Sequence, residues 1–366
     1  MIDITAVAGA RPNFIKIAPI IQAIKKYQGL GAEISFRLVH TGQHYDKKMS
    51  GDFFEQLNIP DPDANLEAGG GTQAEQTAVI MVAFEKELQC HRPDLVVVVG
   101  DVTSTLACSI TAKKMGIDVA HVEGGIRSGD MSMPEEVNRI VTDSITDHFF
   151  TTSEIANQHL RSVGVAENRI HFVGNTMIDT LYANESRFIK PKGLQFDDLK
   201  EKGYLVLTMH RPANVDGENQ LKAMIETILE NTEDFPIIFP VHPRTAANLS
   251  KIGIQNPRLR MVEPLSYLEF NYLVQNAKGV ITDSGGVTEE ASVMNVPCIT
   301  LRDNTERPET ITHGTNELVG TDPSLLEPYL KKLLSGNWKT YKGIPMWDGK
   351  SADRIVSKII ELYSKN

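Results

Sequence analysis

The sequence has little cysteine, and its three cysteines are far apart. Cys90, Cys108 and Cys298 are odd in number and form no Cys-x-x-Cys pair. This pattern excludes a disulfide framework and a zinc site built on paired cysteines. No H-x-x-x-H pair or other ligand spacing lies within one predicted helix or strand, so we expect no bound metal ion.

Positive charge and long apolar runs are scarce as well. The chain has 37 Lys and Arg against 47 Asp and Glu, a net charge of −10. This balance opposes binding to nucleic acid or to anionic lipid over most of the surface. No apolar run approaches the roughly 18 residues of a membrane span. Because Asp3 interrupts the first apolar stretch, a secretory signal is not expected, and we predict a cytoplasmic protein.

A third absence concerns cofactors. The first predicted strand is followed by AGARPNFIK, without the Gly-x-Gly-x-x-Gly motif of a tightly held dinucleotide. We therefore expect no nicotinamide, and no other cofactor is indicated.

The organisation that is present is a regular alternation of strands and helices. The β-branched runs are ITAVAG, FRLVHTG, DLVVVVGD, DVAHVEGG, HFFTTSE, RIHFVGN, YLVLTMH, PIIFPVH, LRMVEPL, GVITDSG and PCITLRD. Such alternation predicts an α/β protein with parallel sheets. At 366 residues the chain exceeds the usual size of one core. We predict two Rossmann-like doubly wound domains, residues 1–172 and 173–350, and a helix at 351–366 that packs back on the first domain.

Polar residues follow many of these predicted strands. Right-handed crossovers bring the carboxyl ends of parallel strands to one edge of a sheet, where ligands bind. The residues at this position are Arg11, His44, Asp101, Glu123, His210, His242, Ser284 and Arg302.

In the first half, both cations and carboxylates lie near these strand ends. Arg11 and Lys16 lie near a predicted helix start, where they either bind phosphate or belong to a solvated helix face. We expect partial burial to raise the pKa of Asp101 and of Glu123 into a range useful for acid–base chemistry. Asp101 alternatively caps the helix that starts near Ser104.

The stretch MPEEVNR carries a further set of charges on one predicted helix. Glu135 is a candidate acid or base, and Glu135, Glu136 and Arg139 lie on the same helix. The simpler interpretation is a solvated ion pair between residues four apart.

In the second half, residues 279–309 have the pattern of a nucleotide site. A strand is followed by Ser284, Gly285 and Gly286 and then by a helix. Amides at a helix start attract phosphate, and Glu290 could accept hydrogen bonds from a ribose; alternatively, the glycine pair only turns the chain. His210 and His242 follow adjacent strands, where they could donate to phosphate or transfer protons.

With these residues established, the chain closely resembles the non-hydrolysing UDP-N-acetylglucosamine 2-epimerases. The motifs of the resemblance are GARPNFIK, TGQHYD, VVVGDVTSTLA, HVEGGIRSGD, MPEEVNRIVTD, VGNTMID, MHRPANVD, VHPRT, TDSGGVTEEA and LRDNTERPET. The family implies a GT-B-like fold of two domains facing a cleft that holds UDP-sugar, and it suggests a homodimer that supplies precursors of cell-surface polysaccharides.

The resemblance also implies roles for individual residues. The implied catalytic group is Asp101, Glu123, Glu135 and His210. The implied contacts of the UDP-sugar are Arg11, Lys16, His242, Phe270, Ser284, Gly285, Gly286, Glu290, Arg302, Glu306 and Arg307. Phe270 would lie against uracil, although its pattern alone is that of a core aromatic.

The chain departs from the commonest form of the family at several positions. Asn13 replaces the acidic residue after Pro12, and Tyr45 and Asp46 replace Arg and Gln of members with an allosteric site. Gln43 and His44 remain as possible regulatory residues. The Tyr-Asp type also resembles epimerases of 2,3-diacetamido and 6-deoxy sugars. Two other classes compete with an epimerase, a GT-B glycosyltransferase and a non-catalytic UDP-sugar sensor.

Overall fold

The chain forms two compact units, each built around one parallel sheet. The computed structural model describes residues 1–42, 54–193, 195–241 and 243–364, and for Arg11, Pro243, Arg244 and Ser250 it describes the backbone alone. The first unit comprises Met1–Asn184 and Pro345–Asn366, and the second comprises Glu185–Ile344. Three of the predicted site residues lie outside the described ranges: Gln43, His44 and His242.

The sheet of the first unit has seven parallel strands in the order β3-β2-β1-β4-β5-β6-β7. The strands are β1 (Ile2–Ala8), β2 (Ile34–His40), β3 (Ala64–Asn65), β4 (Leu95–Val99), β5 (Asp118–Val122), β6 (His148–Thr151) and β7 (Ile170–Phe172). All five residues of β4 are buried, as expected for a central strand covered by helices on both faces.

Helices connect these strands. They are α1 (Arg11–Gly29), α2 (Gln73–Cys90), α3 (Thr103–Lys114), α4 (Pro134–Ile145), α5 (Glu154–Ser162) and α6 (Thr176–Asn184), with a short 3-10 helix at Glu167–Arg169. The last helix of the chain, which we label α14 (Ser351–Tyr363), also belongs to this unit.

The second sheet has six parallel strands in the order β10-β9-β8-β11-β12-β13. The strands are β8 (Leu205–Thr208), β9 (Ile237–Pro240), β10 (Leu259–Val262), β11 (Gly279–Thr282), β12 (Cys298–Thr300) and β13 (Asn316–Leu318). The helices are α7 (Pro212–Val215), α8 (Glu218–Glu230), α9 (Pro243–Ile252), α10 (Tyr267–Asn276), α11 (Gly285–Val293), α12 (Pro308–Thr312) and α13 (Leu326–Leu334), with 3-10 helices at Glu185–Arg187 and Pro323–Leu325. The two doubly wound sheets confirm the predicted α/β class.

The boundaries between the two units lie after Asn184 and Ile344, and not after residues 172 and 350 as predicted. Helix α6 belongs to the first unit because it packs on α1, where the Thr180 hydroxyl donates to the Ile15 carbonyl at 2.6 Å. The segment before α14 belongs there too, since the buried Trp347 donates its indole N–H to the Thr152 carbonyl at 3.0 Å. The boundaries therefore follow packing contacts that sequence periodicity does not encode.

Helix α14 is fixed to the first unit at both of its ends. Buried Asp179 accepts hydrogen bonds from the amides of Ser351 and Ala352 at 3.1 and 2.7 Å and so caps the helix start. At the other end, the Tyr363 hydroxyl donates to Asp118 at 2.8 Å.

Both sheets reverse their strand order at one position, which is where open α/β sheets bind ligands. In the first sheet the reversal lies between β1 and β4, which are followed by α1 and by Asp101. In the second it lies between β8 and β11, which are followed by His210 and by Ser284. The fold thus places Asp101 in the first unit, and His210 and Ser284 in the second, at this edge of their sheets.

Candidate active site

Glu123 and Lys16 form a buried ion pair at the carboxyl edge of the first sheet. The Lys16 ammonium donates to Glu123 Oε2 at 2.6 Å. Glu123 also has a backbone φ of 73°, a left-handed conformation that costs a residue with a Cβ free energy and that recurs at active sites. A buried, conformationally strained carboxylate with a cation beside it fits a role in chemistry better than a role in stability.

Asn13, the residue that departs from the family pattern, fixes the start of α1. Its Oδ1 accepts hydrogen bonds from the amides of Gly9 and Ala10, both at 3.1 Å. Its Nδ2 donates to the Val99 carbonyl at 2.9 Å and so ties α1 to β4. Arg11 begins α1, but its side chain lies outside what the structure describes.

Asp101 is held by Arg139 of α4. The guanidinium donates from Nε and Nη2 to Asp101 Oδ2 at 3.0 and 2.5 Å, and Asn138 Nδ2 donates to the Asp101 carbonyl at 2.8 Å. The residue that caps α3 is Val102, without a side-chain hydrogen bond. The capping role considered for Asp101 is therefore wrong, and this carboxylate is oriented by an arginine instead.

Arg139 has a second partner that the helical spacing did not indicate. Its Nη1 bonds to buried Glu136 at 2.6 Å, so the expected solvated pair with Glu135 is replaced by a buried pair three residues apart. Burial opposes ionisation of Glu136, but hydrogen bonds from Ser128, Gly129 and Arg139 hold its pKa below its ordinary value. Glu135 is half-buried in the first turn of α4.

His210 and Asp283 form a dyad in the second unit. His210 Nδ1 lies 2.7 Å from Asp283 Oδ1; the imidazole is 54% exposed and the carboxylate is fully buried. Burial alone would raise the pKa of Asp283, but the hydrogen bond and charge of His210 and the bonds from Asn214 and the Arg211 amide hold it low. Because an ionised Asp283 accepts the hydrogen bond from Nδ1, the Nε2 atom of His210 is left to accept a proton and to return it.

Asp283 was missed in the sequence analysis. It follows β11 directly, so the strand-end signal that identified its neighbour Ser284 applied to it equally.

The helix α11 begins at Ser284, Gly285 and Gly286, as predicted. The Ser284 amide donates to Thr282 Oγ1 at 3.0 Å, and Ser284 is the N-cap residue without a side-chain cap bond. A Cβ on Gly285 would lie 2.9 Å from Glu306 Oε1. The space that the missing Cβ leaves is therefore occupied by the Glu306 carboxylate.

Arg302 holds Glu306 in that position. Its Nη2 bonds to Glu306 Oε2 at 2.6 Å and to Asn304 Oδ1 at 3.2 Å, and the guanidinium is almost fully buried. Arg307 is paired in the same way with buried Glu289 of α11. Arg302 and Arg307, two of the three arginines predicted to contact UDP-sugar, are thus paired with carboxylates.

Phe270 belongs to α10, and Glu290 of α11 contacts the same helix. The Tyr267 hydroxyl donates to Glu290 Oε1 at 2.7 Å, and burial raises the pKa of Glu290 to about 7. Phe270 is half-buried and packs against an apolar cluster that includes Tyr204 and Leu273. This contact agrees with the core role that its pattern alone suggested and leaves part of the ring exposed.

Glu309 of α12 is a further buried carboxyl beside these charges. Neither of its side-chain oxygens has a hydrogen-bond partner among the described residues, and burial raises its pKa to about 7. Within the described ranges, no group of three His, Cys, Asp or Glu could hold a metal ion. No described helix is both long and apolar enough to cross a membrane.

Comparisons with known proteins identify the family. A model of the UDP-N-acetylglucosamine 2-epimerase family matches residues 29–360. The chain is 43% identical to the UDP-N-acetylglucosamine 2-epimerase of Methanocaldococcus jannaschii, over 96% of this chain and 97% of that protein. It is 36% identical to the UDP-2,3-diacetamido-2,3-dideoxy-D-glucuronate 2-epimerase of Pseudomonas aeruginosa, over 98% of this chain and 99% of that protein.

A solved structure agrees with both sequence comparisons. The crystal structure of the M. jannaschii UDP-GlcNAc 2-epimerase in complex with UDP-GlcNAc and UDP matches with a TM-score of 0.87 and 42% identity, covering 98% of this chain and all of that one. The GT-B-like fold class implied by the resemblance is confirmed, and so is the recognition of the family. The chain belongs to the UDP-N-acetylglucosamine 2-epimerase family.

Proposed function

We propose that the protein interconverts UDP-GlcNAc and UDP-ManNAc by inverting the configuration at C2 of the sugar. The observation that carries this proposal is the pair of carboxylates, Asp101 and Glu123, at the ends of the neighbouring strands β4 and β5. Each has a cation at hydrogen-bond distance, Arg139 and Lys16 respectively. Inversion at C2 needs one group to remove a proton and another to return it, and two separately held carboxylates meet that need.

The chemistry explains why the leaving group matters as much as the base. The C2 hydrogen of a sugar that carries an acetamido group is not acidic, so direct deprotonation would be slow. If the bond between C1 and the UDP oxygen breaks first or in concert, positive charge at C1 acidifies C2. Loss of the proton gives 2-acetamidoglucal and UDP, and UDP adds back after protonation of C2 on the opposite face.

The first unit supplies the proton-transfer groups in this proposal. Glu123 and Asp101 act at C2, and Glu135 at the start of α4 is the third acid–base candidate. Lys16 fixes the Glu123 carboxylate and offers positive charge for phosphate. Arg11 lies at the start of the same helix and is proposed as a phosphate contact.

The second unit binds the nucleotide in this proposal. The amides at the start of α11 and the Arg302 guanidinium receive the diphosphate, which is the leaving group. Glu290 accepts from the ribose, and Phe270 lies against uracil. His210, oriented by Asp283, protonates or hydrogen-bonds the departing phosphate oxygen. The other proposed contacts are His242, Ser284, Gly285, Gly286, Glu306 and Arg307.

Product analysis by proton NMR tests the proposal. Purified protein is incubated with UDP-GlcNAc alone, without acceptor or added cofactor. Formation of UDP-ManNAc supports epimerisation, whereas free ManNAc and UDP would indicate hydrolysis. An unchanged spectrum contradicts the proposed substrate. In that case UDP-2,3-diacetamido-2,3-dideoxy-D-glucuronate, the substrate in the name of the P. aeruginosa relative, is tested next.

We also propose a cytoplasmic homodimer that supplies cell-surface polysaccharide precursors. The three free thiols suit a reducing compartment. Apolar side chains are exposed on α2 and on α4, which flank α3: Val79 and Val82 are 51% and 56% exposed, and Val137 and Ile140 are 40% and 39% exposed. We assign the subunit interface to this exposed apolar surface.

Light scattering after size exclusion tests this interface. We expect a dimer for the wild type and a monomer for the Val82→Asp variant. Val163→Asp introduces the same charge at an apolar residue that is 69% exposed at the end of α5 and should remain a dimer. A monomeric wild type, or a dimeric Val82→Asp variant, would contradict the proposed interface.

A further inference from the structure

A buried network of charged side chains lies directly behind the two strand-end carboxylates. His121 of β5 and Asp143 of α4 are both almost fully buried, and His121 Nδ1 lies 2.7 Å from Asp143 Oδ1. The other carboxylate oxygen of Asp143 accepts from Arg127 Nη1 at 2.6 Å and from the Gly125 amide at 3.0 Å. Both oxygens of Asp143 are therefore used.

The positions of the protons in this network follow from its hydrogen-bond acceptors. His121 Nε2 lies 2.7 Å from the Gly100 carbonyl, which can only accept, so Nε2 carries a proton. The contact between Nδ1 and Asp143 also needs one proton. The hydrogen bonds from His121 and Arg127 offset the burial of Asp143 and hold its pKa below the ordinary value.

The network is bonded to both loops that carry the candidate catalytic carboxylates. Gly100 directly precedes Asp101, and Gly125 lies two residues after Glu123. Asp143 reaches the first loop through His121 and the second through the Gly125 amide. One side chain therefore connects the ends of β4 and β5.

These loops adopt backbone conformations that need such support. Gly100, Glu123 and Gly125 have φ values of 67°, 73° and 83°. For Glu123 this conformation is unfavourable, so the surrounding contacts must maintain it. A Cβ on Gly125 would lie 2.4 Å from the Ala156 carbonyl, and one on Gly124 would lie 2.9 Å from Phe149. The loop after β5 is fixed by close packing on one side and by Asp143 on the other.

We propose that Asp143 and His121 are positioning residues for the reaction. They set the separation and orientation of Asp101 and Glu123, and they contact neither sugar nor nucleotide. This inference rests on the proposed function, because it assigns the two carboxylates to proton transfer at C2. Small displacements of acid–base groups lower the rate of chemistry, while nucleotide binding by the second unit is left unchanged.

The test compares two buried aspartates of the same unit. Asp143→Asn keeps the shape of the side chain but places an amide N–H₂ against groups that themselves donate. Asp179→Asn makes the same change at the cap of α14. We expect Asp143→Asn to lower kcat by about thirtyfold or more while KM for UDP-GlcNAc and Kd for UDP change by less than about threefold. Asp179→Asn should lower the melting temperature and leave kcat of the folded protein unchanged.

A pair of substitutions at His121 keeps the inference testable if Asp143→Asn does not fold. Glutamine can donate its amide N–H to the Gly100 carbonyl, whereas alanine cannot. We expect kcat to fall in the order wild type, His121→Gln, His121→Ala, at nearly constant KM. Wild-type kcat in Asp143→Asn, or in both His121 variants, would overturn this inference alone. A wild type that epimerises no UDP-sugar would overturn both this inference and the proposed function.

Discussion

Replacing Glu306 by glutamine should tighten the binding of UDP. The Glu306 carboxylate bonds to Arg302 at 2.6 Å and fills the space beside Gly285 where a Cβ would otherwise lie. A diphosphate that binds to Arg302 and to the start of α11 therefore meets a negative charge already in place. Glutamine has the same shape and still accepts from Arg302, but it carries no charge.

The size of the effect follows from Coulomb's law. Two unit charges about 4 Å apart near a protein surface repel each other by about 4 kcal/mol. Because the Arg302 guanidinium already offsets part of this charge, we expect only about 1–2 kcal/mol of the repulsion to be recovered, which corresponds to a Kd about 5- to 30-fold lower. The gain should be smaller at high ionic strength, since salt screens the repulsion.

Isothermal titration calorimetry with UDP measures the change. Asp198→Asn is the matched control, because it removes one carboxylate of the second unit that is paired with Arg260 and is 64% exposed. Its Kd for UDP should equal that of the wild type. An unchanged Kd in Glu306→Gln would show that the carboxylate does not compete with UDP. A weaker Kd would refute the reasoning, because it would show that the charge of Glu306 favours the binding of UDP.

Two further predictions concern buried or half-buried carboxyl groups. Asp101→Asn and Glu123→Gln should each lower kcat by about a hundredfold or more, measured by coupled assay or NMR, and full activity in either variant would remove that residue from the mechanism. Glu309→Gln should raise the melting temperature at pH 8.5 and leave it nearly unchanged at pH 4, below the ordinary pKa of 4.5. The pKa of Glu309 is raised to about 7 in the folded protein, so its protonation stabilises the fold at low pH and this contribution is lost as pH rises through 7. A lower melting temperature for Glu309→Gln at pH 8.5 would contradict the conclusion that burying the ionised Glu309 carboxylate destabilises the fold.

Periodicity predicted most of the architecture, because buried parallel strands have a strong local signature. Each of the eleven predicted runs overlaps a strand of the structure. The sequence analysis missed β3 and β13, at Ala64–Asn65 and Asn316–Leu318, which lie at the edges of their sheets. Both are short and carry polar residues, so they lack the apolar run that marks a central strand.

The sequence predicted which residues belong to the candidate site but not which side chains pair with one another. Strand ends identified Asp101 and Glu123, yet their partners lie 38 and 107 positions away along the chain. Spacing along a helix predicted a pair between Glu135 and Arg139, whereas the structure turns Arg139 toward Asp101. Such contacts depend on how helices pack against the sheet, and a single sequence does not specify that packing.

The most direct test of the central claim is epimerisation in D₂O with UDP-GlcNAc labelled with ¹⁸O in the bridge between C1 and the β-phosphorus. Elimination and re-addition of UDP predicts deuterium at C2 of the UDP-ManNAc product and movement of the label into non-bridging positions of the β-phosphate. UDP-ManNAc formed without deuterium at C2, or with the label still entirely in the bridge, would contradict the account.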